Sequence, residues 1–244
     1  MKYIFTGTGR CGTVYYARLL TSLGVPCSHE GVFGPTPPEE TMQKLRGEAQ
    51  IIVSNRSREY DPNWAPPIVI AESSYMSAPF LDCEELVNTK VVHLIRHPIK
   101  VISSYFIDLQ YYKYPQQGVH DYMDYVYKYL PLILDESLSP VHRVTKFYLE
   151  WNKLIVQKCQ RKIKEGKYLL HKVENGSQSV LNWLGLKNKE GAYADERSNT
   201  MKHRLDLFSI RDIPEHPVKD ELVEFAAKHG YDLRPREYIP KLFL

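Results

Sequence analysis

Thr6-Gly7-Thr8-Gly9-Arg10-Cys11-Gly12-Thr13 follows the short apolar run Tyr3-Ile4-Phe5 and precedes a helix-like stretch from Val14 to Leu23. A strand that turns through glycines into a helix start is a ready-made anion site. Glycines let the backbone approach closely, and the helix supplies N–H groups and the positive end of its dipole. The segment reads in three ways, each with its own ligand. Gly7, Gly9 and Gly12 satisfy the dinucleotide fingerprint G-x-G-x-x-G, and Glu30 sits about twenty residues on, where a ribose-binding carboxylate belongs. The nucleotide P-loop G-x-x-x-x-G-K-[ST] has its glycine spacing in Gly7 and Gly12 but then fails. Thr13 takes the lysine position and Val14 the hydroxyl position. The third reading takes Arg10-Cys11-Gly12-Thr13 as the core: a cation in the loop, a small residue and a glycine, then a hydroxyl on the first helical turn. That order suits a phosphate or phosphosulfate, with Arg10 supplying charge and Thr13 a hydrogen bond. By itself the loop does not choose among the three.

Length and composition narrow the field. At 244 residues the chain can bury a sizeable core, and we expect one domain over 1–244. An apolar share of 43% and a charged share of 25% are those of a globular protein. A net charge of +3 is too small to argue for a nucleic-acid partner, yet is compatible with a locally basic pocket for a small anion. The basic run Gln160 to Lys167 reads as the solvated end of a helix. No stretch approaches the roughly 18 apolar residues of a membrane span. The chain enters a strand almost at once, so neither a signal peptide nor a transit peptide is expected. Cys11, Cys27, Cys83 and Cys159 are scattered without a C-x-x-C pair, against a zinc site or disulfide framework and for a reducing, cytoplasmic setting. Cys11 lies where a helix N-terminus would stabilise a thiolate. The phosphatase loop C-x5-R nevertheless fails, because Arg18 comes one residue late, and Cys11 reads as a small loop residue.

Hydrophobic periodicity predicts strands at 2–6, about 25–29, 51–53, 68–71, 90–95 and 168–171. Helices are expected at 13–23, 39–46, 77–87, after Pro98, at 121–134, 140–165 and 176–185, and at 217–229, closed by Gly230. The unbroken apolar run in 90–95 predicts a strand buried on both faces, as in a parallel sheet. The fold class is therefore α/β: a P-loop-like three-layer sandwich with a central, mostly parallel sheet and a helix-rich C-terminal half.

A second motif closes the strand Val91-Val92-His93-Leu94-Ile95. It runs Arg96-His97-Pro98 and continues into a helix carrying Ser103 and Ser104. Ligands of open α/β sheets sit at the carboxyl ends of strands, where Arg96 falls. Its planar fork of donors suits a phosphate, and Ser104, about two helical turns on, adds a directional hydroxyl. Together, Arg10-Cys11-Gly12-Thr13 and Arg96-His97-Pro98 with Ser104 resemble the motifs of the PAPS-dependent sulfotransferases. That family pairs a 5′-phosphosulfate loop with a 3′-phosphate site of the form R-x-P followed by serine. The loop is more similar to the R-S-G-T form of carbohydrate, tyrosylprotein and bacterial members than to the K-S-G-T form of the phenol enzymes. Cys11 replaces the serine, and a thiol is the poorer donor, so this position is expected to offer its backbone N–H. Weaker likenesses are Phe147-Tyr148-Leu149-Glu150-Trp151 to the family's long helix and Leu170-His171-Lys172-Val173-Glu174-Asn175 to its R-Y-E-D strand, with valine replacing tyrosine. Arg197 to Arg204 would supply the family's basic loop over the 3′-phosphate or be a solvated surface segment. The G-x-x-G-x-W-K segment of the phenol enzymes is absent.

The resemblance implies a soluble enzyme that takes PAPS and leaves 3′,5′-ADP, transferring the sulfuryl group to a hydroxyl or amine of a small-molecule or carbohydrate acceptor. Gly9, Arg10, Cys11, Gly12, Thr13 and Val14 would cradle the phosphosulfate, and Arg96 and Ser104 the 3′-phosphate. Arg10 would stabilise charge growing on the leaving oxygen, and Glu30, with His29 beside it, is the candidate base. Successive residues of an extended chain point oppositely, so one of His29 and Glu30 is expected to face the pocket. His93, mid-strand, reads as a buried structural histidine. Glu72-Ser73-Ser74 would orient the acceptor or cap the next helix, Trp64 would stack on adenine or anchor packing, and no metal is needed. The tyrosines at 105, 111, 112, 114, 122, 125, 127 and 129 read either as half-buried packing or as an acceptor surface, and the loop Gln110 to Gly118 is the candidate contact with the acceptor. Two alternatives stay open: an NAD-dependent oxidoreductase built on the glycine fingerprint, and a nucleotide-binding module without turnover.

Overall fold

The apolar run Lys90–Ile95 forms a strand buried on both faces except at its first residue. The computed structural model describes residues 1–49, 51, 69–108, 121–135, 137–187 and 209–234. Its strands are β1 (Tyr3–Gly7), β2 (Cys27–Ser28), β3 (Ala71–Ser73), β4 (Lys90–Ile95) and β5 (Tyr168–Lys172). They form a parallel sheet in the order β2-β3-β1-β4-β5. Its helices are α1 (Thr13–Ser22), α2 (Pro38–Arg46), α3 (Pro98–Asp108), α4 (Asp121–Tyr129), α5 (Pro140–Lys158), α6 (Gln160–Lys164), α7 (Gln178–Leu184) and α8 (Pro217–Lys228).

Side-chain alternation assigns the layers. Phe5 stacks on Tyr16 of α1, ring centroids 4.8 Å apart, so α1 covers the sheet face that Phe5 looks out on. Thr6 pairs in register with His93 on the opposite face, and His93 reaches Asn152 of α5 at 2.8 Å. Helices on both faces make the expected three-layer α/β sandwich. The histidine is buried and held at both ring nitrogens, by Asn152 Oδ1 and, at 2.7 Å, by the Tyr168 hydroxyl. Burial pulls its pKa down to about 4, so it is a neutral structural group, as its mid-strand place implied.

Topology locates the site. From β1 the chain goes to β2 and returns through β3 on one side of β1, then crosses to β4 on the other. The order thus reverses beside the carboxyl end of β1, the crevice where open parallel sheets receive ligands. Gly7 closes β1 there. A Cβ on it would lie 2.4 Å from the Leu94 carbonyl oxygen, so this glycine is required by packing against β4.

Several element boundaries differ from the sequence reading. The strand expected at 68–71 is β3 at Ala71–Ser73, which brings Glu72 and Ser73 into the sheet. The helix expected at 77–87 is two 3₁₀ turns, Tyr75–Phe80 with Pro79 inside it and Glu84–Leu86. The pattern at 121–134 stops being α-helical at Tyr129, because Pro131 forces Leu130 into an extended φ of −134°. The long helix at 140–165 is α5 and α6, separated where Cys159 leaves helical geometry (φ −94°, ψ 7°). Of the strand expected at 51–53, residues 52 and 53 lie outside the described residues, and Ile51 belongs to no regular element.

Candidate functional site

Three segments meet at the carboxyl edge of the sheet: the loop from Thr8 to Gly12, the corner Arg96-His97, and the turn after β2 that carries His29 and Glu30. The loop is shaped by two residues in the left-handed region, Arg10 (φ 70°) and Gly12 (φ 83°). Gly12 is the N-cap of α1, and a side chain there would be strained at that φ. No side chain caps α1 and its first turn holds no acid, so the N–H groups of Thr13 and Val14 point out of the helix without an intrahelical acceptor. That combination is the geometry with which helix starts bind anions. The first turn is pinned from below, where the Ser73 hydroxyl donates to the Thr13 carbonyl at 2.7 Å.

Arg96, at the end of β4, donates from Nη1 to the carbonyl of Arg10 at 2.9 Å. This bond joins the two motifs: the second arginine braces the loop that carries the first. Arg96 is itself held by Tyr148 of α5, whose hydroxyl donates to the Arg96 carbonyl at 2.9 Å. Ser104 lies on α3, 6% exposed, between fully buried Ser103 and Tyr105.

Cys11 departs from expectation. Its backbone N–H turns inward to the Thr8 carbonyl at 3.3 Å, so it is not aimed at a ligand. Its fully buried thiol meets the Thr8 hydroxyl at 3.0 Å. Burial pushes the thiol up to about 11 against the opposing pull of the Thr8 bond and the Arg96 charge, so it stays protonated and closes the loop on itself.

The turn after β2 separates its two candidates. His29 is 4% exposed and its Nδ1 lies 2.6 Å from the Ser73 carbonyl, which fixes the ring inside. Glu30 has φ 57° and a side chain 20% exposed, and its carboxylate lies 3.7 Å from His29 Nε2. The outward-facing member of the pair is thus Glu30, with His29 behind it. The turn is clasped by Glu72, which is completely buried on β3. Its carboxyl accepts from the Ser28 hydroxyl, from Gly31 N–H at 3.0 Å and from Val32 N–H. Glu72 therefore neither faces an acceptor nor caps a helix. The cap is Ser74, whose hydroxyl accepts from Met76 N–H at 3.1 Å and donates to the Phe33 carbonyl.

Further residues complete the edge, in contacts that the sequence reading did not assign to them. Tyr105, the residue after Ser104, fills the space beside Gly9: a Cβ on Gly9 would lie 1.9 Å from its hydroxyl oxygen. Glu174 accepts from His97 N–H at 2.8 Å and from the Tyr231 hydroxyl at 3.2 Å. Lys172 sits 4.6 Å from the centre of the Tyr231 ring. Val173 is the nearest neighbour of the open side of Gly12, at 3.8 Å from where a Cβ would be. The one available signal for Tyr105 was adjacency to Ser104; nothing in the sequence marked Tyr231.

These contacts bear on the dinucleotide reading. In that fingerprint the second glycine keeps its side free for the pyrophosphate. Here that glycine is Gly9, and a tyrosine occupies its side, while the first glycine is filled by the Leu94 carbonyl. Gly7 and Gly9 serve packing, whereas the side of Gly12 is open but for Val173. The tyrosine surface also shrinks. Tyr105 and Tyr125 are buried, and the Tyr125 hydroxyl donates to the Met76 carbonyl. Phe147, Tyr148 and Trp151 of α5 are core residues as well. Trp64, the side chains of Tyr111, Tyr112, Tyr114 and Tyr122, the loop Gln110 to Gly118 and the basic segment Arg197 to Arg204 lie outside the described residues. Among the described residues, no group of three or more metal-ligating side chains comes together, and no helix is long and apolar enough to cross a membrane.

Burial raises Glu72 from 4.5 to about 7, with the Glu30 charge adding to the rise and the three hydrogen bonds opposing it. A raised carboxyl favours the protonated fold, so its stabilising contribution is complete below about pH 4.5 and is lost as pH rises through about 7. The span corresponds to on the order of 3 kcal/mol. Chemical denaturation of Glu72→Gln and the wild-type chain from pH 5 to pH 8 should show the difference moving in favour of the variant as pH rises. Parallel stability curves would contradict a buried, titrating Glu72.

No family model and no curated protein matches this sequence. Among solved structures, the chain is similar to the sulfotransferase domain from the Synechococcus PCC 7002 olefin synthase, over 96% of this chain and 95% of that one, at 14% identity and a TM-score of 0.46. A likeness that distant adds nothing to the functional argument, which rests on the residues above.

Proposed function

We propose that the chain is a sulfotransferase that uses PAPS and releases 3′,5′-ADP. The observation that carries this reading is the 2.9 Å bond from Arg96 to the Arg10 carbonyl, which sets two arginines at one uncapped helix start. A ligand with phosphate at one end and phosphosulfate at the other needs two such cationic positions. A dinucleotide pyrophosphate needs a bare Gly9, which this chain lacks.

In this reading the N–H groups of Gly12, Thr13 and Val14 and the Arg10 side chain hold the phosphosulfate, and Arg96 and Ser104 hold the 3′-phosphate. PAPS supplies a sulfuryl group whose bond to the phosphate oxygen breaks as a bond to the acceptor oxygen or nitrogen forms. Arg10 sits where negative charge grows on that phosphate oxygen. A preorganised charge of this kind contributes about 10²–10³ in rate. Glu30, the exposed member of its pair, takes the proton that the acceptor hydroxyl or amine loses. The acceptor is a small molecule or carbohydrate.

Thermal shifts with 3′,5′-ADP, 5′-AMP, ATP and NAD test the reading, since a ligand at a hundred times its Kd adds about 2.7 kcal/mol of stability. The largest shift should come from 3′,5′-ADP. Ser104→Ala should weaken 3′,5′-ADP and leave 5′-AMP unchanged, whereas Arg96→Ala should weaken both because it also releases the loop. Stabilisation by NAD and not by 3′,5′-ADP would sink the proposal. In a second assay, 3′,5′-ADP release from PAPS is followed over a panel of phenols, alcohols, sugars and amines. Glu30→Gln should lower turnover and keep 3′,5′-ADP affinity; undiminished turnover would remove Glu30 as the base.

A further inference from the structure

We infer that Tyr105 is a positioning residue for the phosphosulfate loop, bracing it through Gly9 so that Arg10 and the α1 N-terminus face the ligand. This rests on the reading of that loop as a phosphosulfate cradle. The hydroxyl oxygen and Cζ of Tyr105 lie 1.9 Å and 3.0 Å from where a Gly9 Cβ would be. The phenol therefore occupies the volume that glycine leaves open. The ring is 2% exposed and packs edge-on against Phe147 of α5, centroids 5.3 Å apart, so it is fixed by the core.

One segment, from the end of β4 through α3, thus grips two successive loop residues. Tyr105 holds Gly9 and Arg96 holds the carbonyl of Arg10. Between those grips Arg10 adopts φ 70°, a conformation that costs a non-glycine residue free energy unless its surroundings impose it. The phenol lies in the fields of both Arg10 and Glu30; the arginine favours ionisation, while burial and the glutamate oppose it and win. Tyr105 is accordingly a neutral brace and takes no proton. Because it adjoins Ser104, the helix proposed to hold the 3′-phosphate also shapes the cradle for the 5′ end.

The test is a cycle of Gly9→Ala, Tyr105→Phe and the double variant, read by chemical denaturation and by calorimetric titration with 3′,5′-ADP and 5′-AMP. Gly9→Ala should be strongly destabilised. Adding Tyr105→Phe should restore much of that stability, because it removes the 1.9 Å clash and leaves Cζ, at 3.0 Å, as the nearest atom to the new methyl. Tyr105→Phe alone should bind both nucleotides about tenfold more weakly, with equal loss because the loop holds the shared 5′-phosphate. Additive destabilisation in the double variant, or wild-type affinity in Tyr105→Phe, would overturn the assignment. A wild-type chain that fails to bind 3′,5′-ADP would instead refute the sulfotransferase reading, and the denaturation cycle alone would then decide whether Tyr105 braces the loop.

Discussion

The hydrogen bond from the Arg96 guanidinium to the Arg10 carbonyl is the constraint on which the site depends. It ties the end of β4 to the loop after β1, across the point where the strand order reverses. Parallel pairing of β1 with β4, in register from Tyr3 with Lys90 to Gly7 with Leu94, delivers both segments to the same edge. The bond then converts proximity into a fixed geometry, with Arg10 held left-handed and the α1 N-terminus unblocked. An arginine that serves the loop through its side chain is itself anchored through its carbonyl by Tyr148, so the brace reaches into the α5 layer.

Around that constraint, buried polar groups are used to hold backbone. Ser73 supports the first turn of α1 and Glu72 the turn that carries Glu30, while Tyr105 fills the space beside Gly9. Each is almost fully buried, where a satisfied hydrogen bond specifies one arrangement and a broken one is costly. The charged groups at this edge, Arg10, Arg96 and Glu30, are half-buried, and the proposed function gives the arginines an anion and Glu30 a proton. Cys11, neutral and turned inward, does not take part.

Much of this was legible in the sequence. The strand–loop–helix start, the second arginine after a doubly buried strand and the structural role of His93 followed from local pattern, because each depends on neighbours in the chain. What sequence reasoning missed depends on contacts across the sheet. The glycines of the fingerprint are indistinguishable in sequence from ligand-facing ones, since Leu94 and Tyr105 are remote from Gly7 and Gly9 along the chain. Glu72 looked like a residue beyond a strand because the apolar run Ile68 to Ala71 marked the strand too early; register with Ile4 and Ser28 places it inside the sheet. For Tyr125 the spacing left packing and an acceptor contact both open, and the structure decides for packing, with its hydroxyl donating to the Met76 carbonyl in the core.

The central claim is that one loop and one strand end form a single two-phosphate site. Amide chemical-shift mapping during a titration with 3′,5′-ADP tests it most directly. The account predicts the largest changes at Gly12, Thr13 and Val14 together with Arg96 and Ser104, all saturating at one Kd. Changes confined to another face of the sheet, or at Gly12 to Val14 without Arg96 and Ser104, would contradict it.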